Sequence, residues 1–375
     1  MKPTIPNADP SQPGRTWKLG ILMGRGLQAE RRALLGSNDR RDAQAEQCSP
    51  LRHALCDWPR QFLGGLALLL AGVIASAAEP VKIRFHTDWY PQPEHGGFYH
   101  AWLKGYYKEA GLDVEISPGG PQAYAVPRVG AGLADIGMGS SDDVLIANDR
   151  GIPAVAIGAT MQNDPQGLMF HVDDPVKTFA DLDGRSIAVT PGTAWFPYLV
   201  KKYGLKKVRE IPHTFSIGPF LKDTNYIQMC FLTSEPFYAK LAGVDTRVLL
   251  VKDTGYAPYR VIFTRRDFLE KHHDAVRSFV EASYRGWREY LADPSFVHAD
   301  LKKRNPELTP AKMDYSAKAL VDYKFVLGDP EKGESQGLMM AKRWQFQFDT
   351  LKDLGVIKGK FNVADAWTGE FIPKP

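Results

Sequence analysis

The chain has 375 residues, 24% of them charged and 44% hydrophobic, which is enough for two domains with buried cores. Its formal charge of +4 comes from the first 77 residues, which hold 10 of the 47 basic and 6 of the 43 acidic side chains. The rest of the chain carries 37 of each and is neutral. Because a nucleic-acid-binding surface needs an excess of basic side chains, this balance argues against nucleic acid as a partner.

An apolar segment at 62–75 dominates the N-terminal region. It is shorter than the roughly 20 residues that a membrane-spanning helix needs. Arg52 and Arg60 precede it and small residues at 75–77 follow it, a pattern typical of a secretory signal peptide. We therefore expect a signal peptide at 51–77 that is cleaved near Ala77, and export to the periplasm. Residues 1–50 are then expected to be an extension of the gene model.

Cysteine usage agrees with export of a soluble protein. Cys48 and Cys56 lie in the predicted leader, which leaves Cys230 as the one cysteine of the predicted mature chain. A single cysteine forms neither an internal disulfide nor a four-ligand cysteine zinc site. We expect a monomer with no metal and no cofactor.

From residue 81 onward, strand-like and helix-like patterns alternate. Alternating or continuous apolar segments predict strands at 81–85, 112–116, 134–138, 154–159, 186–190, 226–232, 246–251 and 259–263. Apolar residues at helical spacing and capping residues predict helices at 96–110, 122–132, 141–149, 192–203, 235–241, 274–291 and 338–354. This alternation is typical of an α/β protein with parallel sheets.

The strands and helices fall into two blocks, which predicts two lobes that are each a wound sheet with flanking helices. The first lobe would comprise 78–165 and 260–375, including additional C-terminal helices. The second lobe would comprise 176–256. Residues 166–175 and 257–259 would be the hinge crossings between them.

Common catalytic and nucleotide-binding motifs do not occur in this sequence: it contains no G-x-S-x-G, no G-x-x-x-x-G-K-[ST] and no H-E-x-x-H. Polar and aromatic residues instead follow the predicted strands, at the sheet edge where open α/β sheets bind ligands. The candidate ligand-binding residues are Asp88, Trp89, Tyr90, His95, Tyr99, Ser140, Ser141, Asp142, Thr190, Gly192, Thr193, Trp195 and Glu235. A core position for Trp89, and helix capping by Ser141 and Asp142, are the alternative interpretations.

These side chains favour a flat heteroaromatic ligand with little charge. Trp89, Tyr90 and Trp195 offer rigid faces for stacking. Asp88 or Glu235 can accept paired N–H bonds from an aminopyrimidine edge.

An anionic ligand is disfavoured, because no lysine or arginine occurs in the candidate clusters. Backbone amides near Gly192 and Ser141, where helices are predicted to begin, keep a sulfonate or nitrate open as an alternative.

Several sequence segments resemble the branch of exported solute-binding proteins that bind thiamine pyrimidine precursors. The matching segments are HTDWYP at 86–91, HGGFY at 95–99, KGYYKEAGLDV at 104–114, AGLADIGM at 131–138 and SEPF at 234–237. These proteins are relatives of the sulfonate, taurine and nitrate binders. The resemblance runs from about residue 81 to residue 287 and implies a two-lobed periplasmic-binding-protein type II fold. It also implies a small-molecule ligand and, as partners, the permease and ATPase of an ABC importer.

The resemblance leaves other functions open. A eukaryotic enzyme with the same fold and opening motif builds the thiamine pyrimidine from histidine and pyridoxal phosphate, but that family carries clustered cysteines, whereas only Cys230 lies beyond the predicted leader here. A ligand sensor without transport, and a binder of a flavin-like ring, are further alternatives.

Overall fold

The computed structural model describes residues 79–121 and 123–372, which form two five-stranded sheets with flanking helices. The predicted signal peptide at 51–77 and the predicted extension at 1–50 lie outside these residues. No helix in the described part of the chain combines the length and the apolar character needed to cross a membrane.

Ten strands make up the two sheets. In chain order they are β1 Val81–His86, β2 Leu112–Ser117, β3 Ile136–Ser140, β4 Ala154–Met161, β5 Gln166–His171, β6 Ser186–Val189, β7 Arg209–Pro212, β8 Ile227–Phe231, β9 Thr246–Leu250 and β10 Arg260–Arg265. The first sheet has the order β2-β1-β3-β10-β4 and the second the order β7-β6-β8-β5-β9. The eight predicted strands are confirmed, and β5 and β7 were not predicted.

Twelve α-helices connect or cover the sheets. They are α1 Gly96–Lys104, α2 Tyr106–Glu109, α3 Ala125–Gly130, α4 Ser141–Asp149, α5 Trp195–Tyr203, α6 Gly218–Lys222, α7 Glu235–Leu241, α8 Arg266–Lys271, α9 His273–Ala292, α10 Ser295–Arg304, α11 Pro310–Asp322 and α12 Ala341–Asp353. The predicted helix at 96–110 is divided at Gly105, whose φ of 79° places it in the left-handed region that ends α1.

The prediction of purely parallel sheets was wrong, because each sheet contains a strand that arrives from the other one. β5 pairs antiparallel with β8 and β9, and β10 pairs antiparallel with β3 and β4. The remaining pairs are parallel. Parallel neighbours need a crossover connection, whereas β5 and β10 each enter their sheet directly from the preceding strand of the other sheet.

The hinge crossing expected at 166–175 is also corrected, since residues 166–171 form β5. Leu168, Met169 and Phe170 are fully buried within the second sheet. The chain therefore passes between the sheets at 162–165, and it returns at 251–259, a stretch that includes 257–259. Flanking Asp and Pro residues gave the sequence of β5 the appearance of a loop.

Close packing of α1 against α9 fixes the region that follows β1. A Cβ atom at Gly97 would lie 2.2 Å from the indole of Trp287, and one at Gly286 would lie 2.2 Å from the carbonyl oxygen of Gly97. Only glycine allows the two helix backbones to approach this closely. Phe98, which is buried between them, packs against Trp287 with ring centroids 5.7 Å apart.

Candidate functional site

A cavity of about 290 Å³ lies between the two sheets, at the carboxyl ends of their parallel strands. Asp88 follows β1 and Ser140 ends β3 on one side, while Thr190 follows β6 and Phe231 ends β8 on the other. This is the sheet edge at which the sequence predicted a site.

The structure brings nine of the thirteen predicted residues together around this cavity. They are Asp88, Trp89, Ser140, Asp142, Thr190, Gly192, Thr193, Trp195 and Glu235. Six of the nine are polar or charged and two carry an indole ring, so the lining combines stacking surfaces with hydrogen-bonding groups.

The other four predicted residues, Tyr90, His95, Tyr99 and Ser141, are not among the lining residues. Tyr90 is 49% exposed and packs on the outer side of Trp89, with ring centroids 5.6 Å apart. Tyr99 is buried in the core of the first sheet beneath the guanidinium of Arg304. Ser141 bonds to Gln347 and to the backbone N–H of Tyr259.

His95 lies behind the cavity and acts on it through Asp88. Burial lowers the pKa of His95 to about 4, so its imidazole is neutral at pH 7. Its Nε2 lies 2.7 Å from Oδ1 of Asp88, to which a neutral ring can donate one hydrogen bond. The contact positions the Asp88 carboxylate at the cavity wall.

A buried arginine at the cavity wall was missed by the sequence analysis. Arg260 begins β10, and its guanidinium contacts Oδ2 of Asp88 and lies 3.5 Å from Oδ2 of Asp164. Burial lowers the pKa of Arg260 to about 10, which leaves it charged at pH 7. Because β10 runs antiparallel, its first residue and not its last lies at the ligand edge, and a pattern of parallel strands predicts site residues only after strand ends.

Acidic side chains outnumber the one arginine in the lining. The six carboxylates that line the cavity are Asp88, Glu94, Asp142, Asp143, Asp164 and Glu235. Arg260 is close to Asp88 and Asp164. Burial raises the pKa of Asp142 and of Asp164 to about 7, so these two carboxyl groups are partly protonated at pH 7, and it also raises the pKa of Asp143 and of Glu235.

Asp142 and Glu235 are held by bonds within the protein. Oδ2 of Asp142 accepts a hydrogen bond of 2.7 Å from the Tyr256 hydroxyl, and Oδ1 accepts one of 2.6 Å from Nε2 of Gln347. Burial nevertheless raises the pKa of Asp142 to about 7. Oε2 of Glu235 accepts the backbone N–H of Phe231 at 2.8 Å, and burial raises the pKa of Glu235.

Aromatic residues from both sheets meet at the cavity. The ring centroid of Trp89, after β1, lies 5.6 Å from that of Phe215, after β7. Phe215 in turn packs edge-on against His213, with centroids 5.1 Å apart. Phe215 has a φ of 54°, a left-handed conformation that costs an ordinary L-residue about 1–2 kcal/mol.

Of the two predicted helix starts that kept an anionic ligand open, the one at Ser141 occurs as expected and the one at Gly192 does not. α5 begins at Trp195 and not at Gly192, which lies in a turn with a φ of 82°. The backbone N–H of Ser141 donates to the carbonyl oxygen of Tyr259 at 2.9 Å. Its amide is therefore engaged by the protein.

Comparison with known proteins gives a family and a fold. A family model described as NMT1/THI5 like matches residues 92–296. The riboflavin-binding protein RibY of Chloroflexus aurantiacus is 22% identical over 80% of this chain and 89% of its own length. The 4-amino-5-hydroxymethyl-2-methylpyrimidine phosphate synthase of Aspergillus parasiticus is 30% identical over a match that covers 33% of this chain and 37% of the enzyme.

Among solved structures, the periplasmic aliphatic sulphonate-binding protein SsuA from Escherichia coli superposes with a TM-score of 0.57 at 16% identity, covering 76% of this chain and 97% of its own. The resemblance drawn from the sequence is confirmed by the family match. The fold is the two-lobed periplasmic-binding-protein type II fold that it implied.

Proposed function

Because the chain belongs to the NMT1/THI5-like family, we propose that it binds a small heteroaromatic ligand between its two sheets and delivers it to an ABC importer. The observation that carries this proposal is a cavity lined by Trp89, Trp195 and Phe215 together with a surplus of carboxylates. The aromatic rings offer stacking faces, and the carboxylates accept N–H groups from an amino-substituted ring.

The charge of the lining favours such a ligand over a sulfonate or nitrate. An anion would lie among six carboxyl groups, and the one guanidinium of the described lining, that of Arg260, already contacts Asp88 and lies close to Asp164. Like charges within a cavity of low polarity repel strongly. We therefore do not propose a sulfonate ligand for this chain, although SsuA is named as a sulphonate-binding protein.

Cavity size favours a single ring over a flavin. A volume of about 290 Å³ lies just below the roughly 300–1,000 Å³ that is typical of ligand pockets. The name of RibY points to a three-ring ligand and that of the synthase to a pyrimidine. We propose a pyrimidine of the thiamine-precursor type, with a flavin-like ring as the second candidate.

Binding is proposed in preference to pyrimidine synthesis. RibY, matched along 89% of its length, is named as a binding protein, whereas the match to the synthase spans 37% of that enzyme. Cys230 lines the cavity, but burial and the neighbouring Glu235 raise the pKa of its thiol and keep it protonated. It does not replace the cysteine cluster that the enzyme family carries.

The partners and the compartment belong to the same proposal. A binding protein of this fold would act as an exported monomer that docks on a permease with its ATPase. The predicted signal peptide at 51–77 supports export, as does the word periplasmic in the name of SsuA.

A thermal-shift screen of the full chain tests the ligand class. We expect 4-amino-5-hydroxymethyl-2-methylpyrimidine or a related aminopyrimidine to raise the melting temperature, because a ligand that binds only the folded state stabilises it. Riboflavin, methanesulfonate and nitrate are the comparison ligands. Stabilisation by the two anions alone would contradict the proposal.

A further inference from the structure

Three polar groups that line the cavity have no hydrogen-bond partner within residues 79–121 and 123–372. They are the carboxylate of Glu94, at both of its oxygens, the indole of Trp195 at Nε1 and the imidazole of His213 at Nε2. Buried polar groups in folded proteins are almost always paired, because an unpaired one has lost its hydrogen bonds to water without a replacement. A set of three around one cavity indicates groups that a ligand completes.

Glu94 lies on the side of the first sheet, in the short 3-10 helix Pro93–His95 that precedes α1. The residue is only 5% exposed. The nearby amine is that of Lys312 in α11, whose pKa is lowered by burial, while the charges of Glu94 and Glu235 oppose this shift. Nζ of Lys312 donates to the carbonyl oxygen of Thr233 at 3.1 Å and to Oγ of Ser316 at 2.7 Å. The Lys312 ammonium therefore bonds to Thr233 and Ser316, and both oxygens of Glu94 stay without a hydrogen-bond partner among the described residues.

Trp195 and His213 lie on the side of the second sheet, and both are hydrogen-bond donors. The indole Nε1–H can only donate. Nδ1 of His213 accepts the backbone N–H of Phe215 at 3.3 Å, which places the proton of the neutral ring on Nε2. Burial lowers the pKa of His213 to about 4, so the ring is neutral at pH 7.

Building on the proposed function, we propose that the ligand is bipolar: a protonated amine substituent faces Glu94, and hydrogen-bond acceptors face Trp195 and His213. Glu94 then selects for a positively charged substituent on the heteroaromatic ring. Glu235 has a different role, since one of its oxygens is bonded to the backbone N–H of Phe231. The ring nitrogens or a carbonyl oxygen of the ligand would accept the two donors on the opposite side.

Two matched probes test the charge preference by calorimetric titration of the full chain. The probes are 4-amino-5-hydroxymethyl-2-methylpyrimidine and its 5-aminomethyl analogue, which have nearly the same shape and differ in a protonated amine. We expect the wild-type chain to bind the aminomethyl probe at least tenfold more tightly. In Glu94→Gln this ratio should fall below threefold, with the affinity for the hydroxymethyl probe nearly unchanged.

Two further variants complete the test, and each is first shown to melt cooperatively. Glu281→Gln, the same substitution on the exposed face of α9, should keep the wild-type ratio. His213→Phe should bind both probes about threefold or more weakly than the wild type, without a change in the ratio of the two affinities.

Failure of this inference can be told apart from failure of the proposed function. Equal binding of the two probes by the wild-type chain, or an unchanged ratio in Glu94→Gln, would overturn the assignment of Glu94 and leave heteroaromatic binding intact. If His213→Phe binds both probes with the wild-type affinity, the assignment of His213 as a hydrogen-bond donor to the ligand is wrong. If neither probe binds the wild-type chain, the proposed pyrimidine ligand falls and the inference falls with it.

Discussion

The rings of Trp89 and Phe215 lie 5.6 Å apart, although Trp89 follows β1 of the first sheet and Phe215 follows β7 of the second. Both residues line the cavity between the sheets. In a fold whose two lobes are connected by short passages, a contact of this kind forms when the lobes are close and is lost when they separate. We therefore expect the Trp89–Phe215 contact to break when the lobes separate around the proposed site.

Removal of the Trp89 ring should weaken ligand binding more than it weakens the fold. Trp89 is only partly buried and its ring contacts are Tyr90 and Phe215, so it is not a core residue. We expect Trp89→Ala to cost about 2–4 kcal/mol of binding free energy, the range for an anchoring aromatic side chain. Calorimetric titration and melting curves separate the two effects, with the exposed Lys206→Ala as a silent control. Unchanged affinity in Trp89→Ala would exclude the stacking role.

Substitutions at Phe215 should change the rate at which the ligand leaves. Phe215→Gly removes the contact with Trp89 but relieves the left-handed backbone conformation, so the folded state should be no less stable. We expect ligand dissociation to become at least threefold faster, as measured by stopped-flow fluorescence. Phe215→Tyr keeps the ring and should dissociate like the wild type. If all three chains release the ligand at the same rate, the contact has no part in closure.

Asp142 should make the stability of the protein depend on pH between about 4 and 7. Burial raises the pKa of this carboxyl from 3.8 to about 7. As the pH rises through this range, the unfolded state loses its proton first, so the stability contributed by the group falls until the folded pKa is passed. Asp142→Asn cannot ionise. Its melting temperature relative to the wild type should therefore increase from pH 5 to pH 7 and level off above pH 8.

Melting curves across this pH series check the prediction, with Asp113→Asn on the exposed side of β2 as the control. A difference between Asp142→Asn and the wild type that stays constant, or shrinks, with rising pH would show that the Asp142 carboxyl is not perturbed upward.

The chain should not synthesise a pyrimidine. Cys230 is buried and the pKa of its thiol is raised, so it is a poor nucleophile and a poor iron ligand. Incubation with pyridoxal phosphate, iron and oxygen, followed by mass spectrometry, should give no pyrimidine product. Product that disappears in Cys230→Ser would identify the protein as an enzyme and reject the binding assignment.

The sequence predicted the sheet edge that carries the site, because strands such as β1 and β6 have clear apolar patterns and are followed directly by polar residues. Asp88 and Thr190 could be placed at the cavity for this reason. His95 and Ser141 have equally polar sequence surroundings, but their side chains turn into the protein and bond to Asp88 and Gln347. The direction of a side chain near a helix start depends on packing that a single sequence does not encode locally.

Arg260 and Glu94 could not be found by the same argument. Arg260 reaches the site only because β10 runs antiparallel between β3 and β4, a pairing between distant segments of the chain. Glu94 follows the segment 91–93, which contains two prolines and has the pattern of a turn. Its burial depends on packing against α11, more than 200 residues further along the chain. Both are consequences of tertiary structure and not of local pattern.

A crystal structure of the full chain with the strongest ligand from the thermal-shift screen tests most directly whether a heteroaromatic ring binds between the two sheets. We expect density for a flat ring inside the cavity, stacked on Trp89 or Trp195, with a nitrogen-bearing group at a carboxylate. A ring bound outside the cavity, or an anion held by Arg260 in place of a ring, would contradict it.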